Sequence, residues 1–129
     1  LQAAGLQPRA RILGMADTGS DRTLALTGTV DAARLALARA GKTAQDMDLF
    51  EINEGFAAMA LHFMQDMQVG HDRVNVNGGA IAMGHPIGAT GNILIGTLVD
   101  ELHRTGAKRG VATLCVGLGM GVATLIERV

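Results

Sequence analysis

Apolar residues recur along this chain in two rhythms, short near-continuous runs and longer stretches with helical spacing. Arg9 to Ala16 predicts a short strand with an apolar run, followed by a polar, glycine-containing connection from Asp17 to Thr29. Between Val30 and Ala40 the spacing is helical, Val30 with Ala33, Arg34 and Leu37 and Leu35 with Ala38. Asp31 in the first turn and Gly41 just past the end suit a helix start and stop. Met47 to Ile52 predicts a strand that runs directly into Asn53-Glu54. Gly55 to Met67 predicts a helix with Phe56, Met59, Ala60, Phe63, Met64 and Met67 on one stripe. Val74 to Val76 predicts a strand opening into Gly78-Gly79. Ile87 to Leu102 predicts a long helix with Ile93, Leu94, Leu98 and Leu102 on its apolar face. Gly110 to Val116 and Val122 to Val129, parted only by five residues, predict an antiparallel hairpin.

The order β-α-β-α-β-α-β-β predicts an α/β fold: a mixed five-stranded sheet, mostly parallel, with helices on both faces. The hairpin would add one antiparallel edge. No linker or low-complexity tract interrupts residues 1–129, so the chain reads as one domain. Its start at Leu1 instead of Met suggests a cut inside a longer polypeptide.

Composition narrows the function. A formal net charge of −1 from 11 Lys+Arg and 12 Asp+Glu argues against a nucleic-acid partner, which clustered cations would mark. Three Phe and no Trp or Tyr leave no stacking platform for single strands. One Cys excludes a disulfide framework and any CxxC motif. No run reaches the ~18 apolar residues of a membrane span, and no secretory segment opens the chain, so a cytoplasmic location is expected. Eighteen Gly, about twice the usual share of roughly 7%, gather toward the C-terminal end.

Three segments expected at strand ends hold the unusual residues: Asn53-Glu54-Gly55-Phe56, Gly84-His85-Pro86 and Cys115-Val116-Gly117. In an open α/β sheet, ligands bind beyond the carboxyl ends of the strands. Alternation with helices would bring Asn53, His85 and Cys115 to one edge. A histidine there can move a proton or hydrogen-bond an oxyanion. A cysteine can act as nucleophile or base. An asparagine amide can donate to an oxyanion. Each also has a plainer interpretation: Cys115 as a buried small hydrophobe, His85 as part of a turn, Asn53-Glu54 as a helix cap with a first-turn acid. His62, His71 and His103 read as surface or helix-face residues, and the seven Met mainly as core filler. Asp100-Glu101-Leu102-His103 reads as a solvated helix face, and no metal site is expected. Gly79 and Gly84 have the spacing of a phosphate loop, but His85-Pro86 stands where Lys and Ser/Thr are needed. The glycines from Gly117 to Gly121 join two strands, whereas a dinucleotide fingerprint opens a helix.

Together these segments resemble the motifs of thiolases. Asn53-Glu54-Gly55-Phe56-Ala57 is similar to the family's Asn-Glu-Ala-Phe-Ala. The run from Asn75 through Gly84-His85-Pro86 to Gly91 resembles its glycine-rich histidine signature. Cys115 to Gly121 resembles its C-terminal Cys-x-Gly-Gly-Gly-x-Gly block, and Leu26-Thr27-Gly28 also fits. The resemblance covers nearly the whole chain and implies a thiolase-like fold.

It also implies a chemistry: making or cleaving 3-ketoacyl-CoA by a ping-pong Claisen reaction through an acyl-enzyme on a cysteine. That nucleophile belongs to the family's N-terminal half, and Cys115 does not match it. Cys115 matches the second cysteine, the acid/base at the acetyl-CoA Cα. His85 matches the residue that activates the nucleophile and binds the thioester oxygen as enolate. Asn53 matches the residue holding a water in that oxyanion hole, and the Gly117 N–H a donor in the other hole. Gly55 and Phe56 match positions beside the pantetheine arm. The implied partners are acyl-CoA and CoA as substrates, with no covalently bound cofactor, the N-terminal half of the enzyme, and a second copy in a dimer or tetramer. The acyl-accepting cysteine and the CoA-binding loop domain are absent from this chain, which alone is expected to be inactive. Gly55 in place of the family's alanine and Leu118 in place of its middle glycine depart from the pattern. So does the loss of prolines around Thr29-Val30-Asp31. The first two leave an inactive binding or assembly module as the alternative. The Asn-Glu-Gly-Phe segment speaks against the sterol-carrier branch, and the second cysteine against a ketoacyl synthase.

Overall fold

A computed structural model describes residues 2–129. Its strands are β1 (Ala10–Gly19), β2 (Leu49–Ile52), β3 (Arg109–Gly117) and β4 (Met120–Arg128). Its helices are α1 (Gly28–Arg39), α2 (Ala57–Met67), the single turn α3 (Ala80–Met83) and α4 (Thr90–Thr105). The sheet order is β1-β4-β3-β2.

The expected alternation of elements and the helices on both faces are present, but the sheet differs from expectation in two ways. It has four strands, because the segment at Val74 makes only an isolated parallel bridge to Phe50. Asn75 is the reason. Its backbone turns left-handed at φ 47°, and its side chain takes over the strand's role. The Ile52 N–H donates to Asn75 Oδ1 at 2.7 Å, and Asn75 Nδ2 donates to the Ile52 carbonyl at 3.0 Å. The sheet is also mostly antiparallel. The hairpin returns β4 between β3 and β1, both antiparallel to it, and only β2 with β3 is a parallel pair.

Strand alternation sends successive side chains to opposite faces, and each face has its own core. Val111, Ala123 and Leu125 pack with Val30, Ala33, Ala36 and Leu37 of α1 and Phe63 and Met67 of α2. Ala112 and Ile126 face Leu94, Leu98 and Leu102 of α4. Phe50 meets Phe63 edge-on with ring centroids 5.7 Å apart, a geometry worth about 0.5–1.5 kcal/mol beyond area burial. The entry of α1 lies so close to β4 that a Cβ at Gly28 would stand 2.6 Å from the Met120 carbonyl carbon.

Two helices start later than their patterns predict. Phe56 is extended (φ −147°, ψ 148°) and 66% exposed, outside α2. Ile87 lies in the Pro86 turn before α4 and is 85% exposed. Ile93, expected in the core, is also exposed, as are Met15, Met83 and Met120 among the expected core methionines.

Candidate active site

Parallel pairing of β2 and β3 puts their carboxyl ends at one edge of the sheet. The Asn53 N–H donates to the Thr113 carbonyl at 3.0 Å, so Asn53 leaves β2 beside the last residues of β3, where Cys115 lies half-buried. A loop from Asn75 to Ala89 passes over this edge, and Glu54 ties it down. Asn75 Nδ2 donates to Glu54 Oε1 at 2.9 Å, and the Ile81 N–H of α3 donates to Oε2 at 3.1 Å. Gly79 sits against this carboxylate so closely that any Cβ there would run into it.

The loop delivers His85 to Asn53. Asn53 is fully buried, and its Nδ2 lies 3.4 Å from His85 Nε2, a contact at the long end of the hydrogen-bond range. On the other side, His85 Nδ1 lies 2.7 Å from Thr90 Oγ1, which donates to the Pro86 carbonyl at 3.0 Å. The tautomer follows. Thr90 has one hydroxyl proton and uses it on a group that only accepts, so Nδ1 carries the ring proton and donates. An amide NH2 only donates, so Nε2 presents its lone pair to Asn53. Both neighbours define the same neutral imidazole.

Cys115 packs on Met59 of α2. Its Sγ is 3.7 Å from the sulfur of Met59, which is fully buried. A Cβ at Gly55 would sit 3.5 Å from that sulfur and 3.7 Å from Asn53 Nδ2. Both are ordinary contacts, so the position holds an alanine without displacement. Gly117 and Leu118 form the exposed mouth of the β3–β4 hairpin. Leu118, at the hairpin tip, has φ 52° and is 71% exposed. His71 and His103 are exposed and His62 half-buried, away from this cluster. A cavity of about 690 Å³ between β1, β4 and α4 contains none of Asn53, His85 and Cys115.

Acidic groups underlie the loop. Glu101, expected on a solvated face, is buried, taking hydrogen bonds from Arg104 (2.6 and 2.8 Å) and Asn77 Nδ2 (2.9 Å). Those bonds, Arg104 first, hold its pKa down to about 2. Glu51 is 3% exposed; burial, then the Glu54 and Glu101 charges, push its pKa up to about 7. Among the described residues no group of three His, Cys, Asp or Glu side chains could hold a metal ion, and no helix is long and apolar enough to cross a membrane.

Sequence patterns alone did not single out Thr90, Met59, Asn75 or Glu51 as part of the site. The one visible signal was Glu51, an acid inside the otherwise apolar run Leu49-Phe50-Glu51-Ile52.

The fold is an open α/β domain with its polar cluster at the carboxyl ends of β2 and β3, and comparison with known proteins gives the family. Residues 6–128 match the thiolase C-terminal domain. The chain is 54% identical over 124 residues to an acetyl-CoA acetyltransferase of Chromobacterium violaceum, covering 96% of this chain and 32% of that protein. It is 49% identical over 127 residues to a 3-ketoacyl-CoA thiolase of Aliivibrio salmonicida, covering 96% and 33%. The crystal structure of the Bacillus anthracis acetyl-CoA acetyltransferase superposes with a TM-score of 0.94 at 42% identity, covering 99% of this chain and 32% of that one. The chain therefore belongs to the thiolase family, as its C-terminal domain. It spans about a third of the length of the curated relatives it matches.

Proposed function

We propose that this chain supplies the acid/base and oxyanion half of a thiolase active site acting on 3-ketoacyl-CoA, with CoA as co-substrate. The observation that carries the reading is the Asn53–His85–Thr90 line, drawn up at the same sheet edge as the chain's one cysteine.

A neutral imidazole with its lone pair on Nε2 is the form that accepts a proton from a nucleophilic thiol. The chain's one cysteine is assigned to proton transfer, so that thiol comes from the N-terminal half of the enzyme. Its thiolate attacks the 3-keto carbonyl, the Cα–Cβ bond breaks, and the pair of electrons passes to the acetyl-CoA thioester as an enolate. His85 Nε2, now protonated, and Asn53, through a water, hold the enolate oxygen. Cys115 Sγ–H delivers its proton to Cα and is left as the thiolate. Once acetyl-CoA has left, a second CoA thiol gives its proton to that thiolate and attacks the acyl group. The nucleophile departs as a thiolate that recovers its proton from His85. The Gly117 N–H serves the acyl carbonyl. Gly55 and Phe56 lie along the pantetheine arm, a role suited to the exposed ring of Phe56.

A binding-only module would rest on Gly55 and Leu118, yet Leu118 is exposed at the hairpin tip and Gly55 has room for the family's alanine. The test is thiolysis of acetoacetyl-CoA by CoA in the protein containing this chain. His85→Ala is expected to lower the rate about 10²–10⁴-fold, and a rate unchanged in that variant would overturn the assignment. Assembly as a dimer or tetramer belongs to the same proposal.

A further inference from the structure

Beside Asn53 lies a cavity of about 40 Å³ lined by β2 and the residue after it, the histidine loop and α4. Its wall includes Glu51, Asn53, Thr90 and Thr97, and otherwise glycines and apolar side chains. Two observations coincide there. Asn53 Oδ1 is completely buried and has no hydrogen-bond partner in the protein, a cost of about 1–3 kcal/mol if left so. Glu51 is the one ionisable side chain in the wall. The charged groups facing it are Glu54, from the loop after β2, and Glu101, from α4, the latter already paired with Arg104. Both are acidic, so no cation stabilises an ionised Glu51, and the neutral acid, which can donate a hydrogen bond, is favoured. The volume exceeds the roughly 10–15 Å³ that one water needs.

We infer that Glu51, as the neutral acid, is a positioning residue: it donates to one water buried in this cavity, and that water donates to Asn53 Oδ1. The amide is thereby locked with its NH2 toward His85 Nε2. The inference rests on the oxyanion role proposed for Asn53 and His85. Ionised Glu51 would place a negative charge beside the groups that bind a developing enolate, opposing them.

The test is NMR of the folded protein, read without turnover, with carbon-labelled Glu and nitrogen-labelled Asn and His. The expected result is that Glu51 titrates near neutrality and that the Asn53 NH2 signals move with the same midpoint. Glu51→Gln, neutral at every pH and still a donor, should keep those signals in place and abolish their pH dependence. Glu51→Leu should shift them and mix the His85 tautomers. A Glu51 titrating in the ordinary carboxylate range overturns the inference, as do Asn53 and His85 signals unchanged in Glu51→Leu. If the signals behave as expected in a protein with no thiolase activity, the catalytic reading fails and the coupling stands.

Discussion

Asn53 Nδ2 stands 3.4 Å from His85 Nε2 across 32 residues of sequence, and Thr90 Oγ1 closes on the other ring nitrogen at 2.7 Å. The imidazole is thus held at both nitrogens, one by a group that only donates and one by a hydroxyl that has already spent its proton.

Thr90→Val keeps the shape of the side chain and removes the acceptor for Nδ1–H. In the intact enzyme it should lower kcat about 10–100-fold, a loss comparable to removing the outer partner of a ligating histidine, and Thr90→Ser should restore most of it. Steady-state kinetics check this. Equal rates in all three proteins would mean that the hydroxyl does not orient the ring.

Stability should fall as pH rises from mild acid to neutrality. Above the ordinary value of 4.5 the unfolded chain ionises Glu51, while the folded chain keeps it protonated up to about 7. Its contribution is therefore complete below 4.5 and gone above 7. Glu101 acts in the opposite direction, with a contribution complete above 4.5 and lost as pH falls through about 2. Urea unfolding across this range should show Glu51→Gln flattening the neutral limb and leaving the acid limb in place.

Glycines at this site differ in what they permit. Gly28→Ala would press a methyl to 2.6–2.8 Å from the backbone of Gly119–Gly121 and should cost about 1–3 kcal/mol. Gly55→Ala meets only the Met59 sulfur and the Asn53 amide at contact distance and should stay within ~0.5 kcal/mol of the parent. Leu118→Gly relieves a side chain held at φ 52° and should stabilise by about 1 kcal/mol. Thermal unfolding of the three variants checks the order.

Much of this was legible in the chain. The alternation of elements, the two-faced core and the meeting of Asn53 with His85 at the strand ends followed from periodicity and from where the odd residues fell. The sheet's direction was not legible, because apolar runs do not say which neighbour a strand takes, and the last strand inserted beside the first. The missing strand at Val74 turned on a side chain standing in for backbone, which no hydrophobic pattern encodes. Phe56 and Ile87 fit the helical period, yet each lies before the first turn, where the loops that carry Asn53 and His85 need extended or turned backbone. Thr90 and Met59 act by proximity across the fold, and a helix-start threonine and a stripe methionine look ordinary in sequence.

In the proposed function, Cys115 moves the proton at the α-carbon while a different thiol carries the acyl group. Solvent exchange of the acetyl-CoA α-protons in deuterium oxide, followed by proton NMR in the protein containing this chain, measures that step directly. Cys115→Ala is predicted to slow the exchange by about 10²-fold or more while acetyl-enzyme still forms, as seen by mass. Exchange at the parent rate in Cys115→Ala would contradict the account.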